Sequence, residues 1–477
     1  MKVYSFVKSR SGLEPVEVEV TLLRGLPKFR ILGLPDNTIK ESEWRIRSAL
    51  TKQGYSLPKA QQVVVQIKPT NTKKTSLGVE LAIACAYLWE SGQIKKHESL
   101  DKHPYIYGEI GLNGEIYAPD DLTNNYLDKS TILTGHNKYK FGFPTWSINF
   151  LNDLKEPDYK DASVDTAQLV RPKLSGLKLN ITTADIAKII ATGEHNTLLA
   201  GPAGSGKTTL AEAAHTLLRD PSLPQHQESQ QINWLLGSKI SWRPLVSPHH
   251  STPTISMLGG GNNPRPGEIS RAHGGVLLLD ELLEFKEVVK ESLREPIEKG
   301  SINVSRAGHT CQFPADFLLM ATTNLCPCGD LVPDKWIKCS KSLTRCRSYL
   351  DKLSGPLLDR FAILTYSNTW QSKENTISMD SVFLDIKKAQ EFALTSRNQL
   401  TTNSKLSVKE ILESTDDTFK DLHQPFLKYS YRRQKALLQV ARTIADLDAC
   451  EVITGEHIKK SMALTINSFK ALKKIHN

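Results

Sequence analysis

The stretch Gly201-Pro-Ala-Gly-Ser-Gly206-Lys207-Thr208 has the residue types and spacing to hold a nucleoside triphosphate. It follows the apolar run Asn196-Thr-Leu-Leu-Ala200 and fits the order strand, G-x-x-x-x-G-K-[ST], helix. Glycines let backbone N–H groups turn toward phosphates, and the helix that follows adds its positive end. Gly201, Pro202, Ala203, Gly204, Ser205, Gly206, Lys207, Thr208 and Thr209 are the expected nucleotide-binding residues. In this pattern Lys207 reaches the β- and γ-phosphates and Thr208 ligates Mg²⁺, so the chemistry starts with ATP or GTP. Such a loop needs a carboxylate partner. Val276-Leu-Leu-Leu-Asp280-Glu281 supplies two, at the end of four apolar residues that read as a buried parallel strand. Asp280 is expected to hold the metal through water, and Glu281 to polarise a water against the γ-phosphate. A second chemical set is Cys326, Cys328, Cys339 and Cys346, four of the seven cysteines, in a C-x-C-x10-C-x6-C pattern. In a reducing compartment that crowding points to a metal before a disulfide, and four thiolates can close a tetrahedral zinc site.

The elements that must position these residues can be read from apolar periodicity. From about 175 to 370 apolar strands recur between helical segments, the order of a parallel sheet wound with helices. After about 380 the strands stop. Leu437, Val440, Ala441, Ile444, Ala445 and Leu447 fall at helical spacing, and Thr454 with Glu456 suits the start of a last helix. Residues 1 to about 145 alternate short apolar runs (Val16 to Val20, Val63 to Ile67, Tyr105 to Tyr107) with one helix-like run, Leu77 to Trp89. The polar stretch Asn152 to Asp161 reads as a linker. The expected fold class is α/β, divided into a domain at 1–150, a linker at 151–175, a nucleotide-binding core at 176–370 and a helical lid at 380–475.

Bulk properties narrow the class further. A chain of 477 residues is long enough for about three domains of ~150 residues each. With 39% hydrophobic and 23% charged residues it is neither disordered nor a membrane protein. No apolar run approaches the ~18 residues a membrane helix needs. The first ten residues lack an apolar core of the secretory kind, so a cytoplasmic location is expected. A formal charge of +10 on a nucleotide-binding protein favours a polyanionic partner, with nucleic acid ahead of simple solubility charge.

The block Ser247-Pro-His-His250, Leu258-Gly-Gly-Gly261, Pro264-Arg-Pro-Gly-Glu268 through Asp280-Glu281 to Phe285, and Leu293-Arg-Glu-Pro-Ile-Glu298 resembles the magnesium-chelatase-like AAA+ family, more narrowly its ComM (YifB) type, linked to bacterial natural transformation. The first domain resembles that family's Lon-protease-like α+β domain in Gly25 to Pro35 and in Lys40-Glu-Ser42 to Arg47-Ser-Ala-Leu50. The resemblance implies a doubly wound AAA+ core with a helical lid. It also implies a hexameric ring that hydrolyses ATP and acts on DNA as a branch-migration helicase in recombination, with a protein-remodelling or metal-chelatase motor subunit as the alternative. By the same resemblance Asn324 takes the sensor 1 position, orienting the attacking water, and Arg360, in Ser354-Gly-Pro-Leu-Leu-Asp-Arg360, is the arginine finger for a neighbouring subunit. Arg432 matches sensor 2, with Arg433 and Lys435 as basic neighbours where the family often has an arginine near 436 and this chain has Ala436. The cysteine run departs from the family's later C-x-C pair, since position 337 is Ile337.

The first domain also invites a protease reading. Thr75-Ser76-Leu-Gly78 and Tyr107 to Ile116 resemble the region that carries the Lon serine nucleophile. A serine needs a base, and Ala118-Pro-Asp-Asp-Leu-Thr123 supplies no lysine after the Gly-Glu strand. A non-proteolytic domain used for subunit or DNA contacts is the expectation.

Overall fold

The computed structural model describes residues 1–8, 13–32, 37–69, 78–119, 122, 131–136, 143–161, 169–173, 176–260, 265–306, 309–329, 342–353, 355–367, 376–415 and 429–476. The chain forms two compact units, Met1–Leu169 with Ser222–Ser241, and Val170–Pro221 with Trp242–Asn477. No helix among the described residues is long and apolar enough to cross a membrane.

In the first unit, eight strands form a mixed sheet in the order Asp158–Lys160, Thr145–Ile148, Ile132–Gly135, Tyr105–Ile106, Lys2–Lys8, Leu13–Arg24, Gln61–Lys68, Lys28–Leu32. Gln61–Lys68 shows why it is a strand: Val63, Val65 and Ile67 alternate inward while the residues between them are polar or only partly covered. The helix Val79–Glu90 is apolar nearly all round and buried along its length up to Trp89, as a helix in the centre of a core must be. Its one buried charge, Glu80, is compensated by Ser42 Oγ at 2.7 Å, Arg45 at 2.6 Å and the Ile110 N–H at 3.1 Å. The stretch expected to be a linker is partly built into this sheet. Leu151–Lys155 makes a short helical turn on the fully buried Leu151 and Leu154, and Asp158–Lys160 adds the edge strand. An edge strand open to water carries the same polar residues as a linker, which is why composition alone misplaces it. The helix Leu223–Leu235, inserted after the nucleotide-binding helix in sequence, belongs to this unit too. Ser76 lies outside the described residues.

The second unit is built on a five-stranded parallel sheet in the order Leu245–Val246, Val276–Leu279, Leu318–Thr323, Thr197–Ala200, Ile363–Tyr366. Thr197–Ala200, Val276–Leu279, Leu318–Thr323 and Ile363–Tyr366 are buried at every residue, as strands covered on both faces are. Parallel pairing gathers their carboxyl ends at one edge, so Gly201, Asp280, Asn324 and Ser367 follow directly from adjacent strands. This is where open α/β sheets bind ligands. The C-terminal part is helical, with Met379–Arg397, Tyr431–Leu447, Gly455–Met462 and Ser468–His476. Thr454 does start the last helix, which runs from Gly455–Met462 through a π-helical turn at Ala463–Asn467 into Ser468–His476. A buried polar network fixes these helices: Arg442, fully buried, pairs with Asp446, which also takes Arg397 and Asn403, while His195 Nε2 meets Thr443 Oγ1 at 2.7 Å.

Candidate nucleotide site

The phosphate loop is shaped by glycines whose backbone or surroundings disfavour a side chain. Gly204 and Gly206 take φ of 70° and 83°, and a Cβ on Gly201 would stand 1.9 Å from Ser367 Oγ. Ser205 Oγ donates to the Pro202 carbonyl at 2.7 Å and accepts from Ser367 Oγ at 2.6 Å, tying the loop to the end of the neighbouring strand. The helix Lys207–Leu217 starts at the lysine, so its unpaired first-turn N–H groups face the loop. Lys207 Nζ donates to the carbonyls of Gly201 at 3.0 Å and Pro202 at 2.6 Å, and to Asn324 Oδ1 at 3.3 Å. Burial pulls its ammonium below the ordinary lysine range, opposed by Asp280 and Glu281. An ammonium with so little solvation of its own favours a polyphosphate that would replace those carbonyls.

The acidic strand meets this loop side on. Thr208 Oγ1 lies 3.1 Å from Asp280 Oδ1, so the two expected metal ligands are already adjacent. Thr322, one residue from the end of the sensor strand, was not anticipated. Its hydroxyl donates to Asp280 Oδ1 at 2.5 Å and accepts from the Glu281 N–H at 3.0 Å. Glu281 sits in the left-handed region, φ 54° and ψ 54°, with its carboxylate exposed. The described residues thus bring together Lys207, Thr208, Asp280, Glu281 and Asn324, a set able to bind a Mg²⁺-triphosphate and aim a water at it.

Arg360 and Arg432 are brought together elsewhere. Arg360 lies just past the short helix Gly355–Leu358, and its side chain, 9% exposed, donates to the Pro356 carbonyl at 2.6 Å and to Glu298 Oε1 at 2.7 Å. Arg432 donates to the same Glu298 oxygen while remaining half-exposed. Arg432 and Arg294 both press positive charge on Arg360. Arg433 is spent inside the chain. It stacks over Phe469 at 3.5 Å and donates to the carbonyls of Leu358 and Thr465. Of the two arginines, Arg432 has the more exposed guanidinium.

Three of the four cysteines converge. Cys326 Sγ lies 2.9 Å from Cys346 Sγ and 3.0 Å from Cys328 Sγ, with Cys326 and Cys346 buried, while Cys339 lies outside the described residues. Among the described residues no group of three or more His, Cys, Asp or Glu side chains is arranged to hold a metal ion. The turn that follows Cys326 and Cys328 borders the phosphate loop, since the Gly329 N–H bonds the Cys326 carbonyl at 2.9 Å and the Gly329 carbonyl accepts from the Ala203 N–H at 3.3 Å.

Three family models match the chain: "Magnesium chelatase, subunit ChlI" over residues 174–375, "Subunit ChlI of Mg-chelatase" over 18–129, and "Magnesium chelatase, subunit ChlI C-terminal" over 377–465. The chain is similar to YifB of Escherichia coli (strain K12), 33% identical over 499 aligned residues covering 96% of each chain. It is 31% identical to YifB of Salmonella typhimurium over 94% of each chain. To the competence protein ComM of Haemophilus influenzae it is 29% identical, again over 96% of each.

Proposed function

We propose, from the premise that this chain belongs to the ComM/YifB family of magnesium-chelatase-like AAA+ proteins, that it is an ATP-hydrolysing ring motor that moves on DNA. The observation that carries the ATPase reading is a pair of hydrogen bonds at the carboxyl edge of the sheet, Lys207 to Asn324 at 3.3 Å and Thr208 to Asp280 at 3.1 Å. Thr208 and Asp280 hold Mg²⁺, and Lys207 takes the β- and γ-phosphates. Glu281 polarises the attacking water, and Asn324 orients it. Arg360 serves the neighbouring subunit's nucleotide in a hexamer, and Arg432, as sensor 2, couples the helical lid to the nucleotide; Glu298 holds both.

Three observations support DNA as the partner: the +10 formal charge, the competence name of the Haemophilus relative, and the exposed Arg265 in a hairpin of Gly259–Gly260 with Arg265–Pro266. In this reading Arg265 lines the ring's channel and contacts phosphates, which position the strand without reading its sequence. The helicase assignment, on branched or single-stranded recombination intermediates, is the most specific form of it. The test is ATP turnover with single-stranded DNA and three- or four-way junctions, compared with casein and with a chelatase partner. Stimulation by DNA, lost in Arg265→Glu across all sequences alike, is the expected result. Stimulation by casein or the chelatase partner instead would favour a protein-remodelling or chelatase motor.

The first domain acts as a non-proteolytic Lon-like module for subunit or DNA contacts. Cys326, Cys328 and Cys346, together with Cys339, would hold a structural Zn²⁺ that braces the loop after Asn324.

A further inference from the structure

We propose that the second unit holds another anion site, a cavity of about 230 Å³ that takes a small dianionic oxyanion of the phosphate class, at the end of the sheet opposite the phosphate loop. Thr192, Arg219, one face of the helix Met379–Arg397, the segment from Gln399 to Asn403 and Asp446 line it. Thr192 lies in the last turn of the helix Ile181–Gly193, just before the strand Thr197–Ala200, and Arg219 follows the helix Lys207–Leu217 that begins at the phosphate loop. That helix of 11 residues spans roughly 16 Å, which separates the cavity from the nucleotide site.

The acceptors around this cavity are taken and its donors are not. Asp446 receives Arg397, Arg442 and Asn403. The side-chain oxygen of Gln399 receives Arg397, and that of Asn403 receives Gln399. In contrast, Thr192 Oγ1, Arg219 Nε, Gln390 Nε2 and Arg397 Nη1 are all buried, and none has a hydrogen-bond partner among the described residues. Thr192 is only 4% exposed. Gln390 and Arg397 stand two turns apart on one face of their helix, and Arg397 reaches the lining through Asp446 and Gln399. Arg219 Nε is 3.4 Å from Glu194 Oε1 but is not aligned for a hydrogen bond. Glu391 stands at the rim, exposed to water. Leaving a buried donor unpaired is costly, so these groups together call for an acceptor from outside the chain.

Charge selects that acceptor. Glu194 is shared by Arg219 and Arg243, and Asp446 by Arg397 and Arg442, so four guanidiniums face two carboxylates. Neighbouring carboxylates do not close the gap, since Asp220 is held by Arg171 and Asp316 by Lys405. The positive excess is balanced by a dianion and not by water. A phosphate also has lone pairs for every donor present, and its hydrogen bonds to guanidiniums are charge-assisted. Bound there, it would join the sheet domain, through Thr192 and Arg219, to the lid helix, through Gln390 and Arg397. Neither the donors nor the charge depends on the motor function proposed above.

The test uses full-length protein with ADP saturating the phosphate loop, which itself takes anions. Inorganic phosphate, glycerol 3-phosphate and acetate are titrated at constant ionic strength set with chloride, and binding is followed by calorimetry and thermal melting. Phosphate should bind and raise the melting temperature, with acetate weaker by about tenfold or more. Thr192→Val and Gln390→Met, which keep the side-chain shapes, should each weaken phosphate about tenfold or more and leave ADP affinity unchanged. Without phosphate, Thr192→Val should melt at or above the temperature of the unmodified protein, because the hydroxyl it removes has no partner to lose. Glycerol 3-phosphate binding as tightly as phosphate would assign the site to an organic phosphate, and a preference for phosphate would assign it to the free ion; either supports the site. The proposal is overturned if phosphate does no more than chloride, if acetate binds as well as phosphate, or if both variants keep the native phosphate affinity. A Thr192→Val protein that melts lower without phosphate and still binds it normally overturns it as well, since the hydroxyl would then be structural.

Discussion

Thr322→Val isolates the anchor beneath the two carboxylates. Valine keeps the buried β-branched shape and removes a single oxygen, which donates to Asp280 at 2.5 Å and accepts from the Glu281 N–H at 3.0 Å. At 1% exposure, Thr322 leaves no room for water to replace that oxygen. An orphaned buried N–H costs about 1–3 kcal/mol, and a hydrogen bond to a charged group is worth about 1.5–3 kcal/mol. Asp280 keeps Thr208 as a second donor and is only partly buried, so the low end of the second range applies. The expected loss of stability is roughly 2.5–4.5 kcal/mol. Catalysis carries a second cost. The left-handed backbone of Glu281 is unfavourable by about 1–2 kcal/mol for a residue with a side chain, and the bond to Thr322 is what holds it there. Without that bond Glu281 relaxes, and losing about 1.4–2.8 kcal/mol of positioning lowers kcat roughly 10- to 100-fold. Phosphate-release kinetics, thermal melting and titration with a fluorescent nucleotide separate the two costs, and Thr322→Ser should recover most of the turnover. Native kcat and melting in Thr322→Val would refute the anchoring role.

The remaining predictions can be tested with the same assays. Lys207→Ala should abolish nucleotide binding, whereas Glu281→Gln should bind and not turn over; near-normal hydrolysis in Glu281→Gln would remove it from the water-polarising role. Arg360→Ala should assemble and bind ATP yet lose most hydrolysis, and mixing it with Lys207→Ala should restore part of the turnover because the two defects lie on opposite sides of a shared site. Gently purified protein should carry about one zinc per chain, with Cys326→Ser lowering the melting temperature; metal analysis that finds none counts against the site. Burial pushes His195 down to about 3 and His215 down to about 4 from 6.5, so both stay neutral in the fold while the unfolded chain takes up protons. The stability they contribute is therefore complete above pH 6.5 and falls as the pH drops from there toward 4 and 3. His215→Gln, which can still donate to the Arg243 carbonyl, should flatten the dependence of melting temperature on pH across that window.

The nucleotide site was legible to the degree that its chemistry is contiguous. A phosphate loop works through the backbone of one short segment, so Gly201 to Thr209 announce themselves by spacing, and the acidic strand end does so by the abrupt change from leucine to carboxylate. Thr322 had no such signal. It reads as one more β-branched residue in an apolar strand, and its role comes from register: Leu279 stands opposite Ala321, which places Thr322 beside Asp280. The same holds for Gly329 and Ala203, joined only because the sensor strand and the phosphate-loop strand are neighbours. In the first unit the helix Leu223–Leu235 escaped notice for a different reason. Its run Gln225-His-Gln-Glu-Ser-Gln-Gln231 has no apolar stripe, so nothing in its pattern assigns it to a core, and His226 is nonetheless buried.

Glu298 illustrates what sequence spacing cannot supply. It lies 62 positions from Arg360 and 134 from Arg432, yet one of its oxygens receives both. Two guanidiniums on one carboxylate leave a net positive charge, whereas Arg294 is balanced by Glu291 and Asp359 offsets part of the field on Arg360. A side chain there merely for stability would be matched charge for charge, because unbalanced repulsion between arginines costs energy in the isolated chain. A surface that keeps such an excess is suited to an anion supplied from outside the chain. A triphosphate bound in an adjacent subunit meets that requirement, and it would draw on a finger from the sheet domain and an arginine from the helical lid at once. Hydrolysis would then depend jointly on the ring contact and on the lid position, with Glu298 holding both arginines in the absence of the neighbour's nucleotide.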